Sequence, residues 1–242
     1  MYAIEARGLT KRYGEITAVD GLYLNICEGE LFALLGVNGA GKTTTVKMLS
    51  LLTEPNDGEI LVFGRNAFAD RQAVKQSIAL SPQETAIAPN LTVWENLDFI
   101  CGIYGFDRGV RDEKIRGVSE KLGLNLVMKR MAGKLSGGWQ RRLSIAMALI
   151  SEPRILFLDE PTLGLDVLAR SELWDIIRGL RGSVTVILTT HYMEEAEALS
   201  DRIGIMNDGR LLVTGTPREL MDNTGTGRIE DAFISIVKEA SV

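Results

Sequence analysis

Cysteine, histidine and proline are all scarce in this 242-residue chain, which carries two, one and six of them. Cys27 and Cys101 match no metal or redox spacing, so a disulfide framework is not expected; they read as buried free thiols in a reducing compartment. No apolar run approaches the roughly 20 residues that span a bilayer. The opening stretch "MYAIEARGLTKRYG" lacks a basic-then-apolar signal pattern, and the chain is expected to be cytosolic. Basic residues are also in deficit: 27 Lys and Arg against 32 Asp and Glu give a net charge of −5 and a pI near 5.1. A general nucleic-acid binder needs a clustered basic excess, and none is present. Internal repeats and low-complexity linkers are missing too. What remains is 45% hydrophobic and 24% charged, enough to bury the core of one domain with room for a subdomain.

Short apolar strands alternate with helical patterns, as in a parallel sheet covered by helices. The strands read as "AVDGLYLNIC", "ELFALLG", "EILVFG", "SIALSP", "RILFLD", "SVTVILTT", "RIGIMND" and "RLLVTG". Leu173, Ile176, Ile177 and Leu180 fall at helical spacing, and so do Ile229, Ala232, Phe233, Ile236 and Val237. Between Gln83 and Gly138 the strand pattern lapses. There "LTVWENLDFICGIYG" and "VRDEKIRGVSEKLG" read as helices, the first opened by a Thr92-x-x-Glu95 capping box, which predicts a helical insert in an α/β core. "DNTGTGR" (222–228) reads as a hinge before the last helix.

Three stretches carry chemistry. In "GVNGAGKTT", placed between the strand "LFALL" and the helix "VKMLSLL", Gly36, Gly41, Lys42 and Thr43 fit G-x-x-x-x-G-K-[ST]. Small residues there, with Asn38, Gly39 and Ala40 between the fixed glycines, let backbone N–H groups curl around phosphates at a helix start. Lys42 supplies a point charge to the β and γ phosphates, Thr43 offers a hydroxyl to Mg²⁺, and Thr44 assists at a phosphate. An ordinary glycine-rich turn capping a helix is the alternative. In "RILFLDEP", an apolar strand delivers Asp159, suited to hold a metal-bound water, and Glu160, suited to polarise the attacking water. In "LSGGWQRRLSIAMALI", Ser136, Gly137 and Gly138 open another helix; this is a second anion-receiving end, or a plain helix cap.

In this order the stretches resemble the ATP-binding cassette (ABC) ATPases over nearly the whole chain. The resemblance implies an α/β fold: a P-loop NTPase core of ABC type with an amino-terminal antiparallel β subdomain and an inserted helical subdomain. It implies one ABC ATPase domain over 1–221, with 1–82 and 152–221 as core and 83–151 as helical subdomain, followed by a hinge and helix over 222–242. It further implies that Ser136, Gly137 and Gly138 contact ATP held by a second subunit, and that Asp166 in "GLD" crosses the dimer interface. Tyr13 resembles the aromatic that stacks on adenine. Gln83 in "SPQE" resembles the glutamine that reaches Mg²⁺ and the attacking water, and His191 in "TTH" the switch histidine at the γ-phosphate. From local sequence alone, Tyr13 reads equally as a half-buried strand residue, Gln83 as a loop residue and His191 as a cap or core residue. Trp139 and Leu163 depart from the family pattern.

The carboxy-terminal wording is most similar to ATPases of bacterial drug and antibiotic exporters; the alternative readings are an importer ATPase and, behind it, a soluble ABC ATPase acting on nucleic acid or ribosomes. The implied activity is Mg-dependent ATP hydrolysis in a homodimer. The implied partner is a polytopic transmembrane permease, which would hold this chain on the inner face of the membrane, and nucleic acid is not implied as a partner. The segment from Gln83 to Phe106, with Trp94, Phe99 and Tyr104, corresponds to the family's groove for that partner.

Overall fold

The computed structural model describes residues 1–240. Two long strands, β1 (Tyr2–Tyr13) and β2 (Ile16–Cys27), lead into β3 (Leu31–Leu35) and the helix α1 (Lys42–Leu49). After β4 (Asp57–Val62), the short β5 (Arg65–Asn66), α2 (Arg71–Lys75) and β6 (Ile78–Ser81), the chain turns helical. That region holds α3 (Val93–Ile103), α4 (Arg108–Lys121), two 3-10 turns (Leu124–Val127 and Ala132–Lys134) and α5 (Gly137–Leu149). Strands and helices then alternate through β7 (Ile155–Asp159), α6 (Val167–Arg178), β8 (Thr185–Thr190), α7 (Met193–Leu199) and β9 (Arg202–Asn207). The hairpin strand β10 (Arg210–Gly215), α8 (Pro217–Thr224) and α9 (Ile229–Ala240) complete the described chain.

Two sheets result. An antiparallel sheet runs β2-β1-β4-β5, and a six-stranded sheet runs β10-β9-β3-β8-β7-β6, parallel except for β10 at its edge. The strands β3, β7 and β8 are buried along their whole lengths. Phe32, Leu34, Phe157 and Ile187 face α1 and the antiparallel sheet, while Leu31, Ala33, Leu156, Leu158 and Leu188 face the helices on the other side. Side chains alternate between the two faces, and both faces are covered, which is why these strands read as continuous apolar runs. Val46, Met48 and Leu49 of α1 lie fully inside the layer between the sheets. Each such side chain contributes about 1.5–3 kcal/mol by leaving water.

All eight strands read from the sequence form, but β1 was not among them. Its alternation is interrupted by four register shifts against β2, so no clean period of two reaches the sequence. The Thr92–Glu95 capping box closes as expected at the start of α3. Buried Asn96 pins the loop ahead of it, exchanging bonds with the backbone of Ala88 and donating to the Thr92 carbonyl. The segment read as a hinge is half helical: α8 runs to Thr224 and stops at Gly225 in the left-handed conformation that glycine favours. Ile229, Ala232 and Phe233 then dock α9 into the larger core. Cys101 is buried, but Cys27 is exposed: it ends β2 on the outward-facing alternation of an edge strand. No described helix is long and apolar enough to cross a membrane.

Candidate active site

The loop after β3 turns tightly because two of its glycines have no room for anything else. A Cβ on Gly36 would lie 2.5 Å from the Met206 carbonyl oxygen. One on Gly41 would lie 2.5 Å from that of Ala18, at a φ of +97°. Backbone from β2 and β9 therefore presses the loop into shape. Asn38, Gly39, Ala40, Gly41, Lys42, Thr43 and Thr44 line a cleft of about 350 Å³, whose other walls include Ala18, Gln83, Glu160, Leu163 and His191.

Register explains how the acids arrive there. Asp159, the last residue of β7, pairs beside Thr189 of the parallel neighbour β8. The Thr189 hydroxyl donates to Asp159 Oδ1 at 2.6 Å, and the Thr43 hydroxyl donates to the same oxygen at 3.2 Å. Glu160 follows at a φ of +47°, a left-handed conformation that strains a non-glycine residue. Its N–H is held by the Thr189 hydroxyl at 3.0 Å and carbonyl at 3.2 Å. The side chain thus turns into the cleft, with Oε2 2.9 Å from His191 Nδ1 and Oε1 3.6 Å from Lys42 Nζ. The Lys42 ammonium also donates to the carbonyls of Gly36 at 2.8 Å and Val37 at 3.1 Å. Burial pushes it below the usual lysine value, against the opposing pull of Glu160 and Asp159.

Other candidates sit elsewhere. Ser136 is the N-cap of α5, yet its hydroxyl makes no capping bond, and Ser136 and Gly137 are exposed outside the cleft. By contrast, Asp166 caps α6 by accepting from the Ala169 N–H at 2.9 Å. Beside it Val167 and Leu168 are 77% and 76% exposed. Tyr13 ends β1 half exposed, with Lys11 Nζ 5.4 Å from its ring centre, and it is not among the residues lining the cleft. Trp139 carries the Arg142 guanidinium over its ring. A second, apolar groove of about 840 Å³ is lined by Leu52, Ala86, Ile100, Ile103, Tyr104 and Met147 among others. Trp94 and Phe99, although exposed, do not line it.

Three buried polar residues escaped the sequence reading. Thr189 organises both acids. Arg141, on α5, donates to the carbonyls of Pro82 and Gln83. Glu195, on α7, accepts from Trp174 Nε1 at 3.2 Å, and burial raises its carboxyl above the ordinary range although the Thr190 and Thr162 hydroxyls pull the other way. The one signal available for them was a polar or charged residue among apolar neighbours, as in "TVILTT".

A glycine-built loop opening a helix, with acids delivered beside it from the end of a parallel strand two places along the same sheet, defines a nucleotide site of the P-loop class. The chain belongs to the ABC transporter family, whose model matches residues 19–163. It is 40% identical over 242 residues to the probable multidrug ABC transporter ATP-binding protein YbhF of Escherichia coli (strain K12). That match covers 98% of this chain but 42% of the relative, so the chain spans less than half of that protein's length. It is 39% identical over 235 residues to the daunorubicin/doxorubicin resistance ATP-binding protein DrrA of Streptomyces peucetius, covering 95% of this chain and 71% of that protein. Among solved structures, a dimeric post-hydrolysis state of an ATP-binding cassette bound to ADP and Pi matches with a TM-score of 0.78 at 25% identity. The match covers 88% of this chain and 98% of that one. The family and the α/β fold expected from the sequence are thereby borne out.

Proposed function

We propose that this chain is the ATP-hydrolysing subunit of an ABC exporter, working as a dimer that closes around two ATP molecules and drives a separate membrane permease. The observation that carries this reading is the convergence of Lys42, Thr43, Glu160 and His191 in one cleft, with Asp159 accepting from the Thr43 hydroxyl, while Ser136 and Gly137 stay exposed with the Ser136 hydroxyl unused. One chain holds a complete phosphate cradle and a second phosphate-receiving helix end that does not line it. Two copies placed head to tail satisfy both. The exporter assignment draws on the drug-resistance relatives, and the dimer on the post-hydrolysis ADP and Pi neighbour.

Within that reading the phosphate loop, Gly36 and Asn38 to Thr44, cradles the triphosphate. Lys42 turns from its backbone carbonyls to the β and γ phosphates. Thr43, Asp159 and Gln83 offer a hydroxyl, a carboxylate and an amide, the hard-oxygen donor set that suits Mg²⁺ alongside nucleotide oxygens and water. Bound there, the ion would neutralise phosphate charge. Glu160 polarises the attacking water, and His191, bonded to Glu160, faces the γ-phosphate. Ser136, Gly137 and Gly138 receive charge on the ATP of the other subunit. Asp166, with exposed Val167 and Leu168, lies at the dimer face, and Tyr13 stacks on adenine. The apolar groove takes a cytosolic segment of the permease, so membrane attachment runs through that partner.

Glu160→Gln tests the core of the reading. Turnover should fall by roughly 10² to 10⁴-fold because only a proton acceptor is lost. The variant should also run as an ATP-bound dimer on size exclusion. A monomer with turnover within twofold of the parent would overturn the assignment.

A further inference from the structure

The mechanism proposed above gives no work to Arg141, although its environment is unusual. The side chain is 5% exposed, and its guanidinium donates through Nη1 to the Pro82 carbonyl at 2.7 Å and through Nη2 to the Gln83 carbonyl at 2.6 Å. Both are short bonds from a charged donor. One turn further along α5, Ser144 Oγ lies 2.9 Å from Ser81 Oγ in a fully buried pair. Residues 141 and 144 share a face of the helix, so consecutive turns of α5 grip three consecutive residues, 81 to 83, at the end of β6. The charge itself is answered from two sides: Asp159 and Glu195 both attract it, while burial works against it. A buried guanidinium is costly unless its donors are taken. Here two of them are spent on carbonyls in the loop that carries Gln83, rather than on a carboxylate.

We propose that Arg141 is a positioning residue, a two-pronged strut that makes the Gln83 loop follow α5. A displacement of the exposed Ser136–Gly138 end is then delivered, within the same chain, to the glutamine at the nucleotide cleft. The geometry explains why arginine is needed. A lysine ammonium is a single point donor on a flexible stem and cannot hold two successive carbonyls in a fixed plane, whereas the guanidinium fork can. Distance favours the same conclusion: Arg141 stands one turn into α5, four residues from Gly137, so the phosphate-receiving end and the strut belong to one rigid segment. The inference deepens the proposed function, because it assumes that Gln83 acts at the metal and water.

Limited proteolysis of the full chain, without nucleotide or metal, tests the strut directly. In Arg141→Met the segment 83–87 should be cut at least about tenfold faster than in the parent, while β7 and β8 stay uncut. In ATPase assays the same variant should need about tenfold more Mg²⁺ for half-maximal rate, the effect expected when a group that orients a metal ligand is removed. Its KM for ATP at saturating Mg²⁺ should stay within about twofold. Arg141→Lys, which keeps the charge that Asp159 and Glu195 answer, should fold and fall between parent and Met. Unchanged cleavage at 83–87 would overturn the strut, and so would loss of folding in both variants, which would make Arg141 a purely structural residue. If Glu160→Gln still traps an ATP-bound dimer in the same preparation, such a failure belongs to Arg141 alone and leaves the proposed function standing.

Discussion

Replacing Thr189 by valine removes one hydroxyl and nearly preserves volume, so its effect can be worked from two hydrogen bonds. The first, to Asp159 Oδ1 at 2.6 Å, has a carboxylate acceptor in a fully buried place. A bond of that kind contributes about 1.5–3 kcal/mol. The second accepts from the Glu160 N–H, which keeps the Thr189 carbonyl at 3.2 Å as a partner, so little more is lost there. Asp159 also keeps the Thr43 hydroxyl. The sum is about 2 kcal/mol, which for a chain of this size lowers the melting temperature by about 4–8 °C. If the same bonds hold Asp159 and Glu160 in the reacting geometry, about 2 kcal/mol of lost stabilisation slows turnover about 30-fold. Steady-state phosphate release at saturating Mg-ATP, beside a calorimetric melt, measures both. Thr185→Val is the control. Its hydroxyl, at the far end of β8, accepts from the Gly29 N–H at 2.9 Å, so it should lower stability without touching the rate. Equal rate losses in the two variants, or turnover within twofold of the parent in Thr189→Val, would refute the reasoning.

Ser136→Arg should leave monomer folding and nucleotide binding intact but abolish cooperative hydrolysis, since the bulky cation obstructs only a closed interface; loss of ATP affinity in the monomer would return Ser136 to its own subunit's site. Ile103→Asp, in the apolar groove, should abolish transport while the isolated ATPase keeps its turnover, and a drop in both would mean that the groove is not a separate coupling surface. Glu195→Gln carries a pH signature. Burial holds the native carboxyl above its ordinary 4.5, so over a window opening at pH 4.5 the folded chain keeps a proton that the unfolded chain has released. Parent stability therefore declines as pH rises through that window and levels off above the raised value. The variant has no proton to lose, so the difference in melting temperature should move in its favour with rising pH, and a pH-independent difference would show that burial does not raise this carboxyl.

The fold was legible wherever burial imposes a period. β3 and β7 are covered on both faces and announce themselves as apolar runs, and Thr92 with Glu95 marks the start of α3 by its own chemistry. β1 was illegible because register shifts scramble its alternation. The phosphate loop could be read from spacing since its glycines answer to backbone neighbours, Met206 and Ala18, that forbid a side chain. Thr189 and Arg141 were out of reach for the opposite reason. Their roles come from partners 30 and 59 residues away in the chain, Asp159 and Pro82, which only the folded sheet brings close.

The short helix α1 leads to a point about scale. Its first residues, Lys42 to Thr44, line the phosphate cleft, while Ser50 and Leu52, just past its other end, line the apolar groove. Eight residues of helix measure about 12 Å. Clamped between two sheets, α1 joins the phosphate cleft at one end to the apolar groove at the other. No long relay through the protein is required for one to be felt at the other. Under the function proposed above, the groove and its helical insert can change with the permease while the phosphate cleft stays as it is, so a single catalytic frame can be refitted to many permeases.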